Sequence, residues 1–301
     1  MKFSIITPSF RTREWLPLCA ASVRDQQGVT VEHLVQDAGS DDGTVEWLRS
    51  QPDISSVIER DGGMYDAINR GLRRASGEIL AHLNADEQYL PGALQAVAAI
   101  FAAHPDLDLV LADTVVVDAA GKFICCRKSM KPLPWLRYTQ NPTITSSIFF
   151  RRRVVTEEQL FFDTQWRIVG DAVWIREAQR RRLKMAVLRR YTSTFTDSGA
   201  NLDLTPKARE ESDRLRSLRP RWAEWLDAPL RMIGRLRRLL NGTYHQRPFG
   251  YEIYTQTNPA QRVGFHVAHP TCVWYSRAPR RAGGFYRRVK MMLGRRTKTP
   301  S

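Results

Sequence analysis

The sequence predicts an α/β fold built on a mixed, mostly parallel β-sheet with flanking helices. Three observations carry this prediction. Short apolar runs alternate with amphipathic runs through the first 90 residues, acidic or polar residues follow directly after those apolar runs, and a β-rich stretch begins at residue 109. The 301 residues, 43% of them hydrophobic, suffice for one large or two modest domains with a sizeable core.

The first elements form repeated pairs of a strand and a helix. Apolar runs closed by turn residues predict buried strands at residues 3–7, 32–36, 56–59 and 79–83. Helices are predicted between these strands, at residues 15–26, 44–49 and 64–75. Such βαβ units align their strands in parallel, and ligands of these sheets bind beyond the carboxyl ends of the strands. The candidate binding residues therefore lie at positions 8–11, 37–42, 61–63 and 84–87.

The next part of the chain predicts the remainder of the sheet. Residues 109–127 predict a β-hairpin, with apolar runs at 109–111, 115–117 and 123–126 and a turn at 119–121. A further strand is predicted at residues 148–150, and a helix after Gly170 and Asp171. The nearly apolar run at residues 93–103 contains Gln95 and is shorter than the roughly 18 residues of a membrane span, so no span is predicted.

The charge is concentrated in the last third of the chain. Residues 1–200 hold 25 Lys and Arg against 24 Asp and Glu, whereas residues 201–301 hold 21 against 7, which is 14 of the net charge of +15. We therefore predict a domain at residues 1–205 and a small basic α+β region at residues 206–301. This region comprises an amphipathic helix at 230–240, short strands at 251–255, 263–267 and 273–276, and a basic helix and tail at 277–301.

The basic region predicts a polyanionic neighbour. One such neighbour is an anionic membrane face, which residues 230–240 and 285–293 would contact. In the first of these helices, the apolar stripe would consist of Leu230, Ile233, Leu236 and Leu240. Specific nucleic-acid binding is disfavoured because no RRM, KH, zinc or helix-turn-helix signature accompanies the charge. A basic face that contacts only water is the remaining alternative.

The predicted location is the cytoplasm, with peripheral contact to the inner face of the cell membrane. The amino terminus has no apolar region long enough for a signal peptide, so export by that route is not expected. The four cysteines fit no metal-binding spacing, which is typical of reduced thiols in a cytoplasm.

The strand ends carry carboxylates rather than a phosphate-binding loop. The motifs GxGxxG and GxxxxGK[ST] are absent, which leaves a dinucleotide enzyme or a P-loop triphosphatase without a motif. Asp37, Asp61, Asp86 and Glu87 follow strands instead. Carboxylates repel a phosphate unless a divalent cation intervenes, but they readily accept hydrogen bonds from a base or a ribose. The pattern predicts one metal-binding carboxylate and one or two carboxylates that read a nucleoside.

Four strings in register resemble glycosyltransferase family 2, whose members have the GT-A fold. They are IITPSF at residues 5–10, EHLVQDAGSDDGT at 32–44, ERDGGMYDAINRG at 59–71 and ASGEILAHLNADE at 75–87. The resemblance covers residues 3–202 and implies a GT-A-type, Rossmann-like domain. It also implies an inverting enzyme that moves a sugar from a UDP-linked donor to an acceptor hydroxyl. The acceptor would be a glycan or a lipid-linked sugar, in bacterial surface polysaccharide or glycolipid assembly.

The resemblance implies a role for each matching residue. Asp37 would accept a hydrogen bond from a uracil-type base, and Asp61 would help to close the nucleoside and ribose pocket. Asp86 matches the last acidic residue of the family's DxD metal motif, which has Asn84 at its first position here, and would hold Mg²⁺ or Mn²⁺ on the donor diphosphate. The other implied donor-binding residues are Thr7, Pro8, Ser9, Arg11, Ser40, Arg70, Asn84 and Ala85.

Asp171, in the string VGDAVW, resembles the acidic residue that family members place at the start of a helix as the general base. A carboxylate at a helix amino terminus is stabilised as the anion, which favours the base form and lowers its basicity. Each acidic residue also has a structural alternative: Asp37 and Asp171 could be helix caps, and Asp61 a turn residue.

Two other functions remain open from the sequence. The first alternative function is a non-catalytic scaffold that binds a nucleotide sugar or a membrane. It remains open because Asn84 and Glu87 depart from the doubly acidic metal motif. A sugar nucleotidyltransferase shares the α/β start of the chain. It is disfavoured because no glycine-rich phosphate loop with Arg and Lys follows the first strand.

Overall fold

The structure is a computed structural model that describes residues 1–139, 143–199 and 201–274 of the chain. Its strands are β1 (Lys2–Ser9), β2 (Thr30–Asp37), β3 (Ile54–Ile58), β4 (Ile79–His82), β5 (Gln88–Tyr89), β6 (Leu109–Asp118), β7 (Phe123–Arg127), β8 (Ile148–Arg151), β9 (Met185–Asp197), β10 (Phe249–Thr255) and β11 (Asn258–Val267). Its α-helices are α1 (Leu16–Arg24), α2 (Thr44–Arg49), α3 (Met64–Arg74), α4 (Ala93–Ala103), α5 (Arg153–Thr156), α6 (Gly170–Arg180), α7 (Pro206–Ser217), α8 (Arg221–Trp225) and α9 (Asp227–Leu240).

Strands β1 to β9 form one mixed sheet. Its order is β3, β2, β1, β4, β8, β6, β9 and β5, with β7 also paired to β6. The first four strands run parallel, as do β6 and β9, whose ladder extends along the whole of β6. The ladders made by β5, β7 and β8 are antiparallel. This confirms the predicted mixed, mostly parallel sheet. The strand order reverses beside β1, which opens a crevice at the carboxyl ends of β1, β2 and β4.

Strands β6 and β9 both differ from the sequence prediction. Strand β6 is continuous, because the buried Asp113 at its centre accepts a hydrogen bond from Ser129 N at 2.8 Å and pairs with Arg189 at 3.2 Å. Strand β9 was not predicted. Arg189 and Arg190 interrupt its apolar pattern, yet it pairs along the whole length of β6. A charged residue can lie in a strand when a partner satisfies its charge.

The sheet is covered on both faces by apolar helices. On one face, Ile68 of α3 and Trp174 of α6 pack with Phe150 in one buried cluster. On the other face, Cys19 of α1 and Phe101 of α4 belong to a second cluster. Helix α4 is the nearly apolar segment for which no span was predicted. Among the described residues, no helix combines the length and the apolar character needed to cross a membrane.

The carboxy-terminal hairpin shares a core with the large sheet. Tyr251 and Ile253 of β10 pack with Val115 and Val117 of β6. Arg262 also forms an ion pair with Asp25 at 2.6 Å, beside the end of α1. The strands predicted at 251–255 and 263–267 are therefore present, within β10 and β11. Of the strand predicted at 273–276, residues 273 and 274 are not extended into a strand, and the rest lies outside the described residues, as do 277–301.

Helix α9 is present where a basic amphipathic helix was predicted, but its apolar stripe was predicted wrongly. Leu230 is buried against the body of the protein, whereas Ile233, Leu236 and Leu240 are exposed. In a 3.6-residue period Leu230 lies well to one side of the other three, so one stripe cannot contain all four. The exposed side of the helix is therefore more apolar than the sequence pattern predicts.

Candidate active site

The carboxyl ends of the parallel strands open into a cavity of about 950 Å³. Helix α3 and the start of α6 contribute further lining residues. Of the residues singled out in the sequence, those that line the cavity are Pro8, Ser9, Asp61, Asn84, Ala85, Asp86 and Asp171. The topology thus brings together residues from three of the strand ends and, 85 positions beyond Asp86 in the chain, the carboxylate of Asp171.

Asp37 is fully buried at the end of β2 and holds the loop that follows it. Its Oδ1 accepts hydrogen bonds from Gly39 N at 3.0 Å and Ser40 N at 2.8 Å. Its Oδ2 accepts from Ser9 Oγ at 2.7 Å and Ser40 Oγ at 2.8 Å. Both carboxylate oxygens are therefore engaged by the protein, and neither Asp37 nor Ser40 lines the cavity. Among the contacts of the structure, Asp37 acts as a positioning residue for Ser9, which does line it.

Three further predicted donor-binding residues also lie off the cavity lining. Thr7 is buried and shares a hydrogen bond with His33 Nε2 at 2.9 Å. Arg11 is exposed and pairs with Asp41 at 2.7 Å. Arg70 pairs with Asp66 and with Glu59, at 2.9 Å in each case. Their role in donor binding remains a prediction.

Asn84 and Asp86 lie in the turn that leaves β4, and Glu87 holds that turn. The buried Glu87 carboxylate accepts a hydrogen bond from Asn84 N at 2.9 Å, and Glu87 N donates to Asn84 O at 3.0 Å. Burial raises the pKa of Asp86 and that of Glu87, and for Glu87 the negative charge of Asp86 adds to the effect. Two adjacent carboxyls in a dehydrated turn resist being charged together, unless a cation neutralises them.

The residues of this turn fit a small divalent cation. Asn84 Oδ1 is buried and has no hydrogen-bond partner among the described residues, and Asp86 lines the same cavity. Oxygen ligands of this kind suit Mg²⁺ or Mn²⁺, and Mg²⁺ is commonly held by only one or two protein carboxylates together with substrate phosphates. The described residues contain no group of three or more His, Cys, Asp or Glu that could hold a metal alone. The cation would therefore need a ligand from a bound phosphate.

Asp171 lies in the first turn of α6, and Glu211 holds the backbone segment that precedes this helix. The carboxylate of Glu211, from α7, accepts hydrogen bonds from the backbone N–H groups of Arg167, Ile168 and Val169, at 2.8, 2.9 and 3.2 Å. Among the backbone N–H groups of this turn, only Ala172 N donates a hydrogen bond to the Asp171 carboxylate, at 2.7 Å. The helix cap is Val169, so Asp171 is not the capping residue.

Tyr65 of α3 positions the start of α6. Its hydroxyl donates to Ile168 O at 2.8 Å and accepts from Asp171 N at 3.1 Å. A Cβ on Gly170 would lie 2.5 Å from the Tyr65 ring, so only glycine permits this approach. The ring itself stacks on Phe162 with centroids 5.3 Å apart. Tyr65 therefore fixes the backbone of the residue whose side chain faces the cavity.

The environment of Asp171 makes it a stronger base than an exposed aspartate. Burial raises its pKa, and this effect exceeds the opposing hydrogen bonds from Ala172 N and Thr145 and the positive charge of Arg176. From the sequence, the helix amino terminus is expected to lower the basicity of Asp171. That expectation is wrong, because the pKa of Asp171 is raised and not lowered: dehydration of the carboxylate outweighs the contribution of the helix.

The substitution Tyr65→Phe should disturb the position of Asp171 without changing the binding of the nucleotide. Loss of the hydroxyl leaves Asp171 N and Ile168 O without their shared partner, so we expect about 1 kcal/mol less stability toward urea. Turnover should fall about tenfold, because a small displacement of a reacting group is costly. Nucleotide affinity should stay within about twofold, since no hydrogen bond of that hydroxyl reaches the donor side of the cavity. Tyr244→Phe, at an exposed tyrosine, is the matched control; equal turnover of both variants would contradict this role.

Several lining residues were not found from the sequence. Arg60, Arg127 and Arg167 bring three guanidinium groups to the cavity, and Trp274 brings an indole whose Nε1 donates to Asp197 at 2.8 Å. Tyr65 could have been found, since it lies within the string ERDGGMYDAINRG. Arg127, Arg167, Glu211 and Trp274 follow no motif, and only the tertiary structure brings them to the site.

The chain is similar to known glycosyltransferases in sequence. A family model described as "Glycosyl transferase family 2" matches residues 4–160. The "PGL/p-HBAD biosynthesis glycosyltransferase" of Mycobacterium bovis is 36% identical over 120 residues, which are 38% of this chain and 47% of the relative. An uncharacterized glycosyltransferase of Nostoc sp., alr2836, is 27% identical over 185 residues, 57% of each chain. The matches thus span only about half the length of these relatives.

The fold is also similar to solved structures. S. aureus TarS superposes with a TM-score of 0.56 at 19% identity, over 72% of this chain and 39% of that one. TarS residues 1–349 in complex with UDP give a TM-score of 0.53 at 20% identity, over 72% and 65% of the two chains. At this level of identity the similarity shows the fold alone, which is the GT-A fold.

Proposed function

The chain belongs to glycosyl transferase family 2, whose model matches residues 4–160, and from this premise we propose that it transfers a sugar from a UDP-linked donor to an acceptor hydroxyl with inversion. One observation carries the proposal. The carboxylate of Asp171 and the oxygen ligands of Asn84 and Asp86 line the same cavity, although they come from distant parts of the chain. A base and a metal-binding turn in one cavity are what transfer from a nucleotide diphosphate requires.

The donor would occupy the side of the cavity formed by the strand ends. The volume of about 950 Å³ accommodates a nucleotide sugar together with part of an acceptor. Pro8, Ser9 and Asp61 are proposed to contact the nucleoside, with Asp37 holding Ser9 in place. The TarS structures in complex with UDP and with UDP-GlcNAc, on a similar fold, support a UDP-linked donor.

Charge complementarity supports a diphosphate in this cavity. Arg60, Arg127 and Arg167 line it, and no ion pair of these three side chains with a carboxylate is present among the described residues. Arginine is well suited to phosphate oxygens because its planar guanidinium donates in pairs. Asn84 and Asp86 would hold Mg²⁺ or Mn²⁺, which when bound stabilises the negative charge that develops on the leaving diphosphate.

Asp171 is proposed as the general base. Its carboxylate would take the proton from the acceptor hydroxyl while that oxygen bonds to the anomeric carbon. The bond from the anomeric carbon to the diphosphate oxygen breaks in the same step, with the electron pair leaving on the diphosphate. Because the new bond forms opposite the leaving group, the configuration inverts. Trp274 and Phe195 also line the cavity and offer aromatic faces to the acceptor.

For the acceptor and the biosynthetic pathway we propose only a class. A glycan or a lipid-linked sugar in bacterial surface polysaccharide or glycolipid assembly is supported by the mycobacterial relative, whose name places it in PGL/p-HBAD biosynthesis. Peripheral contact with an anionic membrane would suit such an acceptor, and the proposed location is the cytoplasm. A non-catalytic scaffold and a sugar nucleotidyltransferase are the alternatives that the assay below separates.

Donor turnover tests the proposed function. The full chain is incubated with UDP-glucose, UDP-GlcNAc, UDP-galactose or GDP-mannose, with Mn²⁺ and with water or simple glycosides as acceptor, and nucleotide release is followed. Proton NMR of the first sugar product gives its anomeric configuration. We expect release of a nucleoside diphosphate and an inverted product. A nucleotidyltransferase would release pyrophosphate from a nucleoside triphosphate and a sugar phosphate instead, and a scaffold would bind the donor without release.

A further inference from the structure

The helices α8 and α9 carry an apolar surface that nothing in the described part of the chain covers. It consists of Trp225, Met232, Ile233, Leu236, Leu239 and Leu240, here called the outward stripe. Trp225 is 86% exposed and Leu240 77%, and the others are between 41% and 66% exposed. Positions 232, 236, 239 and 240 follow the spacing of one face of a helix. Contiguous apolar surface of this kind marks an interaction site more often than singly scattered residues do.

The orientation of α9 is the reverse of that in an ordinary surface helix. Leu230 and Gly234 are buried, but Arg237 also faces the body of the protein, where its Nη2 donates to Lys131 O at 2.7 Å. Arg238 is likewise partly buried. An ordinary surface helix buries its leucines and exposes its arginines. Here arginines help to dock the helix, and the leucines are left on the outside.

The surroundings of the outward stripe are basic. Arg221 and Arg235 are exposed, as is Glu224, and none of these three side chains forms an ion pair within the described residues. The carboxylate of Asp227 is neutralised by Arg219 at 2.9 Å and Arg231 at 2.6 Å. In sequence, residues 275–301 contain nine Lys and Arg and no Asp or Glu. A partner that fits this surface therefore has an apolar region to contact the leucines and negative charges at its edge to contact the arginines.

We propose that the outward stripe inserts into the headgroup region of an anionic lipid leaflet, with Arg221 and Arg235 at the level of the lipid phosphates. An amphipathic helix with leucines and a tryptophan on one face and arginines beside them binds in this way, in the plane of the interface. Trp225 suits that depth because its ring is apolar and its N–H polar. Each arginine near the surface adds electrostatic attraction, so several together give reversible attachment.

The outward stripe would be the part of the chain that makes the membrane contact included in the proposed function. In that respect the inference rests on the proposed function. A lipid-linked acceptor would then be reached by an enzyme attached to the same leaflet. The surface is nevertheless separate from the donor residues, since no residue of the outward stripe lines the cavity. Binding to lipid and binding of nucleotide can therefore be measured independently, and one can fail without the other.

Co-sedimentation with vesicles tests the inference. The full chain is mixed with vesicles of phosphatidylcholine, or of phosphatidylcholine with 30% phosphatidylglycerol. We expect binding at least about tenfold tighter to the anionic vesicles, and weaker binding in 0.5 M NaCl because salt screens the arginines. The double variant Leu236→Glu, Leu239→Glu should bind at least about tenfold more weakly, since it places two charges on the apolar stripe.

The matched control is Gln256→Glu with Gln261→Glu, which adds the same charge at exposed positions of the hairpin without touching the stripe. It should stay within about threefold of the wild type. The nucleotide-induced thermal shift should be equal in all three proteins, which shows that the stripe variant is folded and that the donor site is intact. Equal vesicle binding by the wild type and the stripe variant would overturn the proposal. So would a wild-type dimer that the stripe variant converts to a monomer, because a second copy would then cover the stripe.

Discussion

Asp171→Asn should lower turnover by about 10²–10⁴-fold while nucleotide affinity stays within about twofold. The amide has nearly the same shape as the carboxylate but cannot accept a proton, and general-base catalysis typically contributes a factor of this size. Asp171 lines the cavity, and the amino-terminal cap residue of α6 is Val169, so the substitution removes no helix cap. Turnover is measured as release of the nucleoside diphosphate, and affinity by isothermal titration with the nucleotide and Mn²⁺.

Asp213→Asn is the control for this substitution, at an exposed carboxylate of α7 that pairs with Arg216 at 2.9 Å. It should turn over the donor at the wild-type rate. If Asp171→Asn retains more than about a tenth of the wild-type rate, Asp171 is not the base, and the acceptor proton must leave by another route.

The pH profile of the wild type follows from the same carboxylate. Only its deprotonated form can accept the acceptor proton, so turnover should fall as the pH falls through its pKa. Burial raises the pKa of Asp171, which moves this acid limb above the value of about 3.9 for an ordinary aspartate. The limb should be absent from the residual activity of Asp171→Asn. Measurement of kcat/KM between pH 4 and 8 in the presence of saturating Mn²⁺ would show it.

Asp86→Ala should lower turnover at least about a hundredfold and abolish its dependence on Mn²⁺. The substitution removes the carboxylate that lines the cavity and leaves Asn84 Oδ1 as the remaining side-chain oxygen of that turn on the cavity lining. One oxygen is a weak anchor for a cation that several ligands must hold. A titration of turnover with Mn²⁺ gives the activation constant for each protein.

The loss in Asp86→Ala should not come from unfolding. Because burial raises the pKa of Asp86, the charged carboxylate opposes folding of the metal-free chain, and its removal should not lower the unfolding temperature. Asp106→Asn, at an exposed carboxylate paired with Lys184, is the control. Unchanged Mn²⁺ activation in Asp86→Ala would remove this residue from the metal site.

The sequence predicted the parallel part of the sheet and the turns that follow its strands, because both depend on local patterns. A strand end followed by Asp or Asn recurs at Asp37 and Asn84, and Pro8, Asp61 and Asp86 fall on the cavity as the rule for parallel sheets requires. The position of Asp171 at the start of a helix was likewise readable from its neighbours. These features need no knowledge of tertiary contacts.

Other features depend on contacts that no local pattern contains. Asp37 was expected to face a base, but its four hydrogen bonds within the protein arise from Ser9 and from a loop that folds back on it. Glu211 binds the backbone of a segment more than 40 positions before it in the sequence, and the charge of Arg189 in β9 is satisfied by Asp113. In α9, packing against the body decided which residues face outward, and the periodicity could not.

The central claim is that this cavity binds a nucleoside diphosphate together with a divalent cation. Thermal unfolding of the full chain with UDP, GDP, dTDP or CMP, each with and without Mn²⁺, tests it most directly. At 100 times its dissociation constant a ligand adds about 2.7 kcal/mol of stability, which a melting curve resolves easily. We predict that UDP stabilises the chain and that it does so only with Mn²⁺. If no nucleotide shifts the unfolding temperature at millimolar concentration, with or without the cation, the account of this site as a metal-dependent transferase centre is contradicted.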